Sequence, residues 1–388
     1  MVCVHCQFEL EDSDSFCPAC GEPCHSAPQA SGGPSGGPAN STAASALGAV
    51  SGGAGLFPAP AASASPPVHS SLPEVIGLPR SCSCGAGPDR LGPDRVCTIC
   101  GQLGIVPERD DFYIKLSDTL AVRSNLGLCH WHNEDYGLIA QAEIYGNTVT
   151  WFVVSDGVSS AENPEIASKA ACQAVNEVIA QLLCKDPDPQ TAIALAIAAA
   201  QQAVLKVPYS DQSHKPKNAR KQPPEATIVA CIVQNGLATI GWLGDSRVYM
   251  VEKGHSGFTA TMLTSDHSYV NAVVESGQML LDQALASPDA HAITKSLGPL
   301  EPGEVMDPSF TTVKLDKAVC LIGCSDGFWN YAHPQQDQPP TQIAKLVQAC
   351  PNDALTLANS MIAFANSGGG QDNLTVAVVL LTKEPCHV

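Results

Sequence analysis

Two apolar runs in this chain of 388 residues end in the same tripeptide. Thr150-Trp151-Phe152-Val153-Val154 runs into Ser155-Asp156-Gly157, and Val319-Cys320-Leu321-Ile322-Gly323-Cys324 runs into Ser325-Asp326-Gly327. A short β-branched or aromatic run closed by Asp-Gly reads as a buried strand reaching a turn. Two further acids border similar runs: Asp135 precedes Tyr136-Gly137-Leu138-Ile139, and Asp372, with Asn373, precedes Leu374-Thr375-Val376-Ala377-Val378-Val379. Four carboxylates at the tips of four apolar strands predict an oxygen-ligand site for a hard cation such as Mg²⁺ or Mn²⁺.

From about Tyr113 to Leu381, strand and helix patterns alternate. Strands are expected at 136–141, 148–154, 227–234, 237–243, 247–252, 318–323 and 374–381. Helices are expected at 165–183, 190–206, 267–279, 341–350 and 353–366. In the first helix Ile166, Ala170, Ala174, Val178 and Leu182 share one face and are expected to meet the core. Short turns, such as Gln234-Asn235-Gly236, imply antiparallel pairing. Antiparallel sheets covered by paired helices give a layered α+β domain, expected over residues 113–382. The basic stretch within 208–224 reads as an exposed loop.

The N-terminal part is different in kind. Residues 1–25 carry Cys3-x-x-Cys6 and Cys17-x-x-Cys20, a spacing that suits a tetrahedral zinc ribbon. Residues 80–102 carry Cys82-x-Cys84 and Cys97-x-x-Cys100, a second candidate module. One or two structural zinc ions are therefore expected. Between them, residues 26–79 are rich in Ala, Ser, Gly and Pro and read as a flexible linker.

The formal net charge of −18 argues against binding to nucleic acid or an anionic membrane. No long uncharged apolar run predicts a membrane span. The 17 cysteines mix Cys-x-x-Cys pairs with isolated residues in apolar runs, Cys172, Cys231 and Cys320. That usage fits a reducing cytoplasm better than a secreted disulfide framework. A monomer with a protein partner for its cysteine modules is expected.

The ordered motifs resemble those of the metal-dependent serine/threonine protein phosphatases, the PPM or type 2C family. The matching segments are Leu126 to Asp135, Ser155 to Ser160 followed by Glu165-Ile166-Ala167-Ser168, and Gly241-Trp242-Leu243-Gly244-Asp245-Ser246-Arg247. Leu263 to Ser268, Ser296-Leu297-Gly298, Cys324-Ser325-Asp326-Gly327 and Gln371-Asp372-Asn373-Leu374-Thr375 follow in the same order. The resemblance implies a four-layer sandwich: two antiparallel β-sheets flanked by helices. It implies hydrolysis of phosphoserine and phosphothreonine in proteins by a hydroxide formed between two cations, with no protein nucleophile. It assigns Asp135, Asp156, Asp326, Asp372 and the Gly157 carbonyl as metal ligands, with Asp156 bridging and Asp245 helping to bind a third ion.

Three positions depart from the family pattern. His130 stands where the family has an arginine that holds the substrate phosphate. Imidazole lacks the bidentate fork and is often neutral at pH 7, so phosphate affinity should suffer unless His130 is protonated or Lys115, Arg123 or His132 compensates. Ser159-Ser160 replaces Gly-Gly, and Glu225-Ala226-Thr227 replaces Gly-Thr-Thr. These changes leave an alternative: a non-catalytic, phosphatase-like regulator acting through its zinc modules.

Overall fold

The computed structural model describes residues 74–77, 82, 90, 96–101, 104, 107–185, 188–210, 221–255, 257–336, 338–350 and 352–381. The first cysteine module, Cys3 to Cys20, lies outside the described residues, as do Cys84 and residues 211–220 of the expected loop.

In chain order the elements are β1 (Ile76–Gly77), α1 (Pro107–Asp110), β2 (Asp111–Lys115), β3 (Leu120–Asn125), β4 (Asp135–Ile144) and β5 (Asn147–Asp156). Next come α2 (Pro164–Leu183), α3 (Pro189–Val204), β6 (Ile228–Gln234), β7 (Leu237–Leu243), β8 (Arg247–Gly254) and β9 (Gly257–Met262). The chain closes with α4 (Tyr269–Glu275), α5 (Leu281–Leu285), β10 (Ser309–Lys314), β11 (Ala318–Cys324), α6 (Asp326–Ala332), α7 (Thr341–Ala349), α8 (Ala354–Ser367) and β12 (Leu374–Leu380).

The strands form two antiparallel sheets, ordered β10-β7-β6-β5-β4 and β1-β2-β3-β12-β11-β8-β9. Helices α2 and α3 cover the first sheet, and α7 and α8 cover the second. The four-layer α+β sandwich of the sequence reading is therefore the observed fold. One apolar core fills the space between the sheets and under α2 and α3, around Phe152, Trp151, Ile179 and Ile197. A second lies under α6 to α8, around Phe328, Tyr249 and Met361. The sheets approach closely where β11 carries Gly323: a Cβ there would sit 2.3 Å from the Phe152 ring. Cys172, Cys231 and Cys320 are fully buried, as their apolar neighbours required.

Helix starts follow local chemistry. Asp188 caps α3 through the Gln190 amide at 3.0 Å, with Pro189 in the first turn. Asp353 caps α8 through the Thr356 amide at 2.7 Å.

Two expectations need correction. The core-facing side of α2 is not centred on the Ile166 stripe: Ile166 is exposed, while Ala170, Ala174, Val178 and Leu182 pack half-buried at the core's edge. The buried face runs through Ala167, Ser168, Ala171, Cys172, Val175, Asn176 and Ile179. It includes two polar residues whose burial is made tolerable by hydrogen bonds. Ser168 Oγ donates to the Glu134 carbonyl at 2.5 Å, and Asn176 Oδ1 accepts from Trp151 Nε1 at 3.0 Å. Also, the expected linker ends inside the sheet. Ile76 pairs with Tyr113 and Gly77 with Phe112, while Val75 packs against the core.

Between β9 and β10 the chain leaves the sandwich as an insertion. It carries α4 and α5 around a small core of Val270, Val273 and Ala284. Bridges Ser268↔Ile293 and Ala226↔Leu297 tie it to itself and to the strand region before β6.

Candidate functional site

Asp135 opens β4 and Asp156 closes β5, and the antiparallel register sets them directly opposite each other. Asp326 is the first residue of α6, just beyond β11, and Asp372 lies two residues before β12. The paired register of β11 and β12 brings these two ends together: a Cβ on Gly327 would meet the Asn373 carbonyl at 1.9 Å and Asp372 Cβ at 3.2 Å. Thus each sheet contributes two aspartates, and the sandwich closes them onto one another. Four of the five predicted acids, Asp156, Asp245, Asp326 and Asp372, line a single cavity of about 590 Å³, with Gly157 between them. Asp135, buried beneath, touches the same group through Ser325.

The supporting bonds cross between sheets. Ser325 Oγ donates to Asp135 Oδ2 at 2.6 Å and accepts from the Thr375 amide at 3.0 Å. Asn373 Oδ1 accepts from the Glu134 amide at 2.7 Å, and its Nδ2 donates to the Leu126 carbonyl at 2.9 Å. Thr227 Oγ1 accepts from the Asp156 amide at 3.1 Å, and the Thr227 amide donates to the Asp156 carbonyl at 2.7 Å. The Asp245 carbonyl accepts from Trp329 Nε1 at 2.9 Å, and the Trp329 ring is covered at 3.5 Å by the Arg247 guanidinium. The backbone that carries Asp135, Asp156, Asp245 and Asp372 is therefore tied to neighbouring elements by hydrogen bonds.

This crowding shows in the electrostatics. Burial, aided by the charge of Asp372, pushes the Asp135 carboxyl up to about 7. Burial and the charges of Asp135, Asp326, Asp372 and Asp245 hold Asp156 well above the carboxylate range. Asp326 is raised by burial and by Asp372, Asp245 and Asp135. Asp245 is pushed up to about 7 by burial and the charge of Asp266. Asp135 Oδ1 and Asp326 Oδ1 are buried and accept no hydrogen bond. Oxygen donors of like charge, two of them with a lone pair unmet, suit a hard divalent cation.

The basic residues are placed otherwise than the sequence led us to expect. His130 Nε2 lies 3.3 Å from Asp372 Oδ1. Lys115 is tied to Asp118 and Asp353, each at 2.8 Å, and Arg123 is buried in a bond to Asp111. His132 Nε2 sits 3.1 Å from Glu134 and 3.9 Å from Glu165, and the Glu134 hydrogen bond raises its pKa. None of these four lines the cavity. Of the alternatives left open for the missing arginine, Lys115, Arg123 and His132 each already have an acidic partner.

The sequence reading did not single out Ser325, Thr227 or Asn373 as supports, nor His291, Asn330, Tyr331 and Gln371 as cavity walls. Ser325 was within reach, since the Ser-Asp-Gly repeat places it beside a predicted ligand. His291, on an irregular turn of the insertion, carries no periodic signal.

Apart from the sandwich, Cys82, Cys97 and Cys100 bring their sulfurs within 4.8 Å of one another. Cys82 and Cys97 are buried, and Cys82 Sγ lies 3.3 Å from Cys100 Sγ.

The protein phosphatase 2C family model matches residues 132–357. Protein phosphatase PhpP of Streptococcus pneumoniae is 31% identical over 161 residues, 41% of this chain and 58% of that protein. The chain thus spans less than two thirds of that relative's length. Serine/threonine phosphatase stp of Listeria welshimeri is 25% identical over 259 residues, 66% of this chain and 93% of that protein. Among solved structures, the S. agalactiae serine/threonine phosphatase superposes with a TM-score of 0.53 at 23% identity, covering 67% of this chain and 98% of the other. That likeness concerns the fold.

Proposed function

This chain belongs to the protein phosphatase 2C family, and we propose that it hydrolyses phosphoserine and phosphothreonine in proteins. The observation that carries this reading is the convergence of aspartates from separate elements on one cavity, with two buried carboxylate oxygens unmet. Asp135, Asp156, Asp326, Asp372 and the Gly157 carbonyl would hold two Mg²⁺ or Mn²⁺ ions, with Asp156 shared and Asp245 turned toward a third. Bound there, such ions supply a water of lowered pKa and neutralise the phosphoryl oxygens.

The chain's own residues prepare the site. Ser325 fixes one oxygen of Asp135 and leaves the other facing the group. Thr227 sets the backbone of Asp156, and the stack of Arg247 on Trp329 sets that of Asp245. His130 acts on the site through Asp372. Asn330, Tyr331 and Gln371 offer neutral donors along the wall where a phosphopeptide would lie.

Purified protein should hydrolyse a phosphothreonine peptide and p-nitrophenyl phosphate when Mn²⁺ is supplied. No turnover at millimolar Mn²⁺ would return the chain to the non-catalytic regulator. No contact described above favours that second reading: a regulator has no need to keep mutually repelling carboxylates in one pocket.

The three sulfurs at Cys82, Cys97 and Cys100 support a structural zinc site, with Cys84 as the fourth ligand of the proposal. Cys3, Cys6, Cys17 and Cys20 are proposed for a second zinc on spacing alone. Zinc measured on the full chain and on Cys97→Ser should differ by one ion, and equal zinc contents would remove the site. A protein partner for these modules, a cytoplasmic location and a monomeric state complete the proposal. Among the described residues no helix is long and apolar enough to cross a membrane.

A further inference from the structure

A phosphate monoester brings close to two negative charges into a cavity already lined by four aspartates. The arginines around the fold are committed elsewhere: Arg109 to Asp110, Arg123 to Asp111 and Arg247 to Asp266. Lys295, on the insertion, bonds Asp307 at 2.7 Å. His130 and His132 face Asp372 and Glu134. Among the described residues that line the cavity, one side chain can carry positive charge, and it is His291.

His291 stands on a pinned stretch of backbone. The Ala292 amide donates to the Asp289 carbonyl at 2.9 Å, and the Ala292 carbonyl accepts from the Tyr269 amide at 2.8 Å. Ile293 bridges to Ser268, and the Thr294 amide donates to the His267 carbonyl at 2.8 Å. His291 and Ile293 both line the cavity. The His291 side chain is exposed and makes no hydrogen bond or ion pair among the described residues. It is a donor on a fixed perch with nothing of its own to hold.

We propose that His291 is a catalytic residue of this chain, which donates a ring N–H to a phosphoryl oxygen of the substrate. It supplies from the insertion the contact that Lys115, Arg123 and His132 cannot make. The inference rests on the phosphatase reading of the same cavity, but it can be tested without turnover.

The test is inorganic phosphate binding by calorimetry to the manganese-loaded full chain, set beside KM for both p-nitrophenyl phosphate and a phosphothreonine peptide. His291→Ala should weaken phosphate binding by about tenfold to a hundredfold, the contribution of a hydrogen bond to a charged group. KM should rise on both substrates, because the contact is to the phosphoryl group they share. His291→Gln, which keeps an N–H donor, should recover part of the loss. Manganese affinity and melting temperature should not move, since the His291 side chain is exposed. Unchanged phosphate affinity in His291→Ala, or a loss that follows lost manganese, overturns the proposal, as does a wild-type chain that binds no phosphate. A chain that binds phosphate through His291 yet hydrolyses nothing would uphold the inference and remove the phosphatase reading, so the two failures are distinct.

Discussion

The two Ser-Asp-Gly segments are identical in sequence and do different work. At the first, Ser155 Oγ donates to the Thr227 carbonyl at 2.6 Å, a bond within its own sheet, and Asp156 continues the strand. At the second, Ser325 Oγ reaches Asp135 Oδ2 on the other sheet, and Asp326 starts a helix. The glycines differ in the same way. Gly157 fits under the Pro164 carbonyl, where a Cβ would be 2.4 Å away. Gly327 fits against the Asn373 carbonyl beside Asp372, where a Cβ would be only 1.9 Å away. One tripeptide builds its half of the site from inside a sheet; the other joins the two sheets. A motif therefore fixes the type of side chain at a strand end but not the partner it meets.

Asp156→Asn should break the comparison most severely. It removes a charge with little change in volume, so kcat/KM should fall on the order of a thousandfold, the scale of losing one electrostatic group in a preorganised site. Circular dichroism should show an unaltered fold. Near wild-type turnover would mean that the first segment is only a turn.

Gly327→Ala should come next. It forces the start of α6 away from the backbone before β12, and about 3 kcal/mol of stability should be lost, read from urea unfolding. Gly157→Ala should cost less, because its Cβ would meet the Pro164 carbonyl at 2.4 Å, against 1.9 Å to the Asn373 carbonyl at Gly327. Equal losses would argue that both glycines serve the same purpose.

The serines sharpen the contrast. Ser325→Ala strands Asp135 Oδ2 and the buried Thr375 amide, and should cost about 1–3 kcal/mol and lower manganese affinity. Ser155→Ala removes one bond within a sheet; about 1 kcal/mol of stability should go, with manganese affinity kept. Activity and metal titration on both variants decide this, and a reversed order would contradict the assignment of Ser325 as the link.

The smallest effect concerns His130, neighbour of Asp372. His130→Arg adds the fork of donors that imidazole lacks and should lower KM by about three- to tenfold, about 0.6–1.4 kcal/mol of charge-assisted hydrogen bonding. An unchanged KM would argue against placing His130 where the family keeps its arginine.

Much of this was legible in the chain. The central strands carry unbroken apolar runs, and the carboxylates at their tips follow from Asp-Gly and Asp-Asn punctuation. Strand β3 was not legible, because Arg123, Ser124 and Asn125 are polar and yet buried. Arg123 is neutralised by Asp111, and Ser124 Oγ bonds Thr375 Oγ1 at 2.7 Å, both long-range facts. Strand β10 is a half-exposed edge with Thr311 and Thr312 beside each other, which resembles a loop by composition. In the insertion the helix expected at 267–279 stops at Glu275, because the break at Ser276-Gly277 is local and weak, and the five-residue α5 carries too short a pattern to be expected. What no local pattern could reveal is commitment: which bases are already paired, and which one faces the cavity.

Titration of Mn²⁺ into metal-free protein, wild type against Asp156→Asn, tests the account most directly. The wild type should take up at least two ions, and the variant should lose that uptake because the shared ligand is gone. Equal uptake by both, or none by the wild type, would contradict a cation centre built from these aspartates.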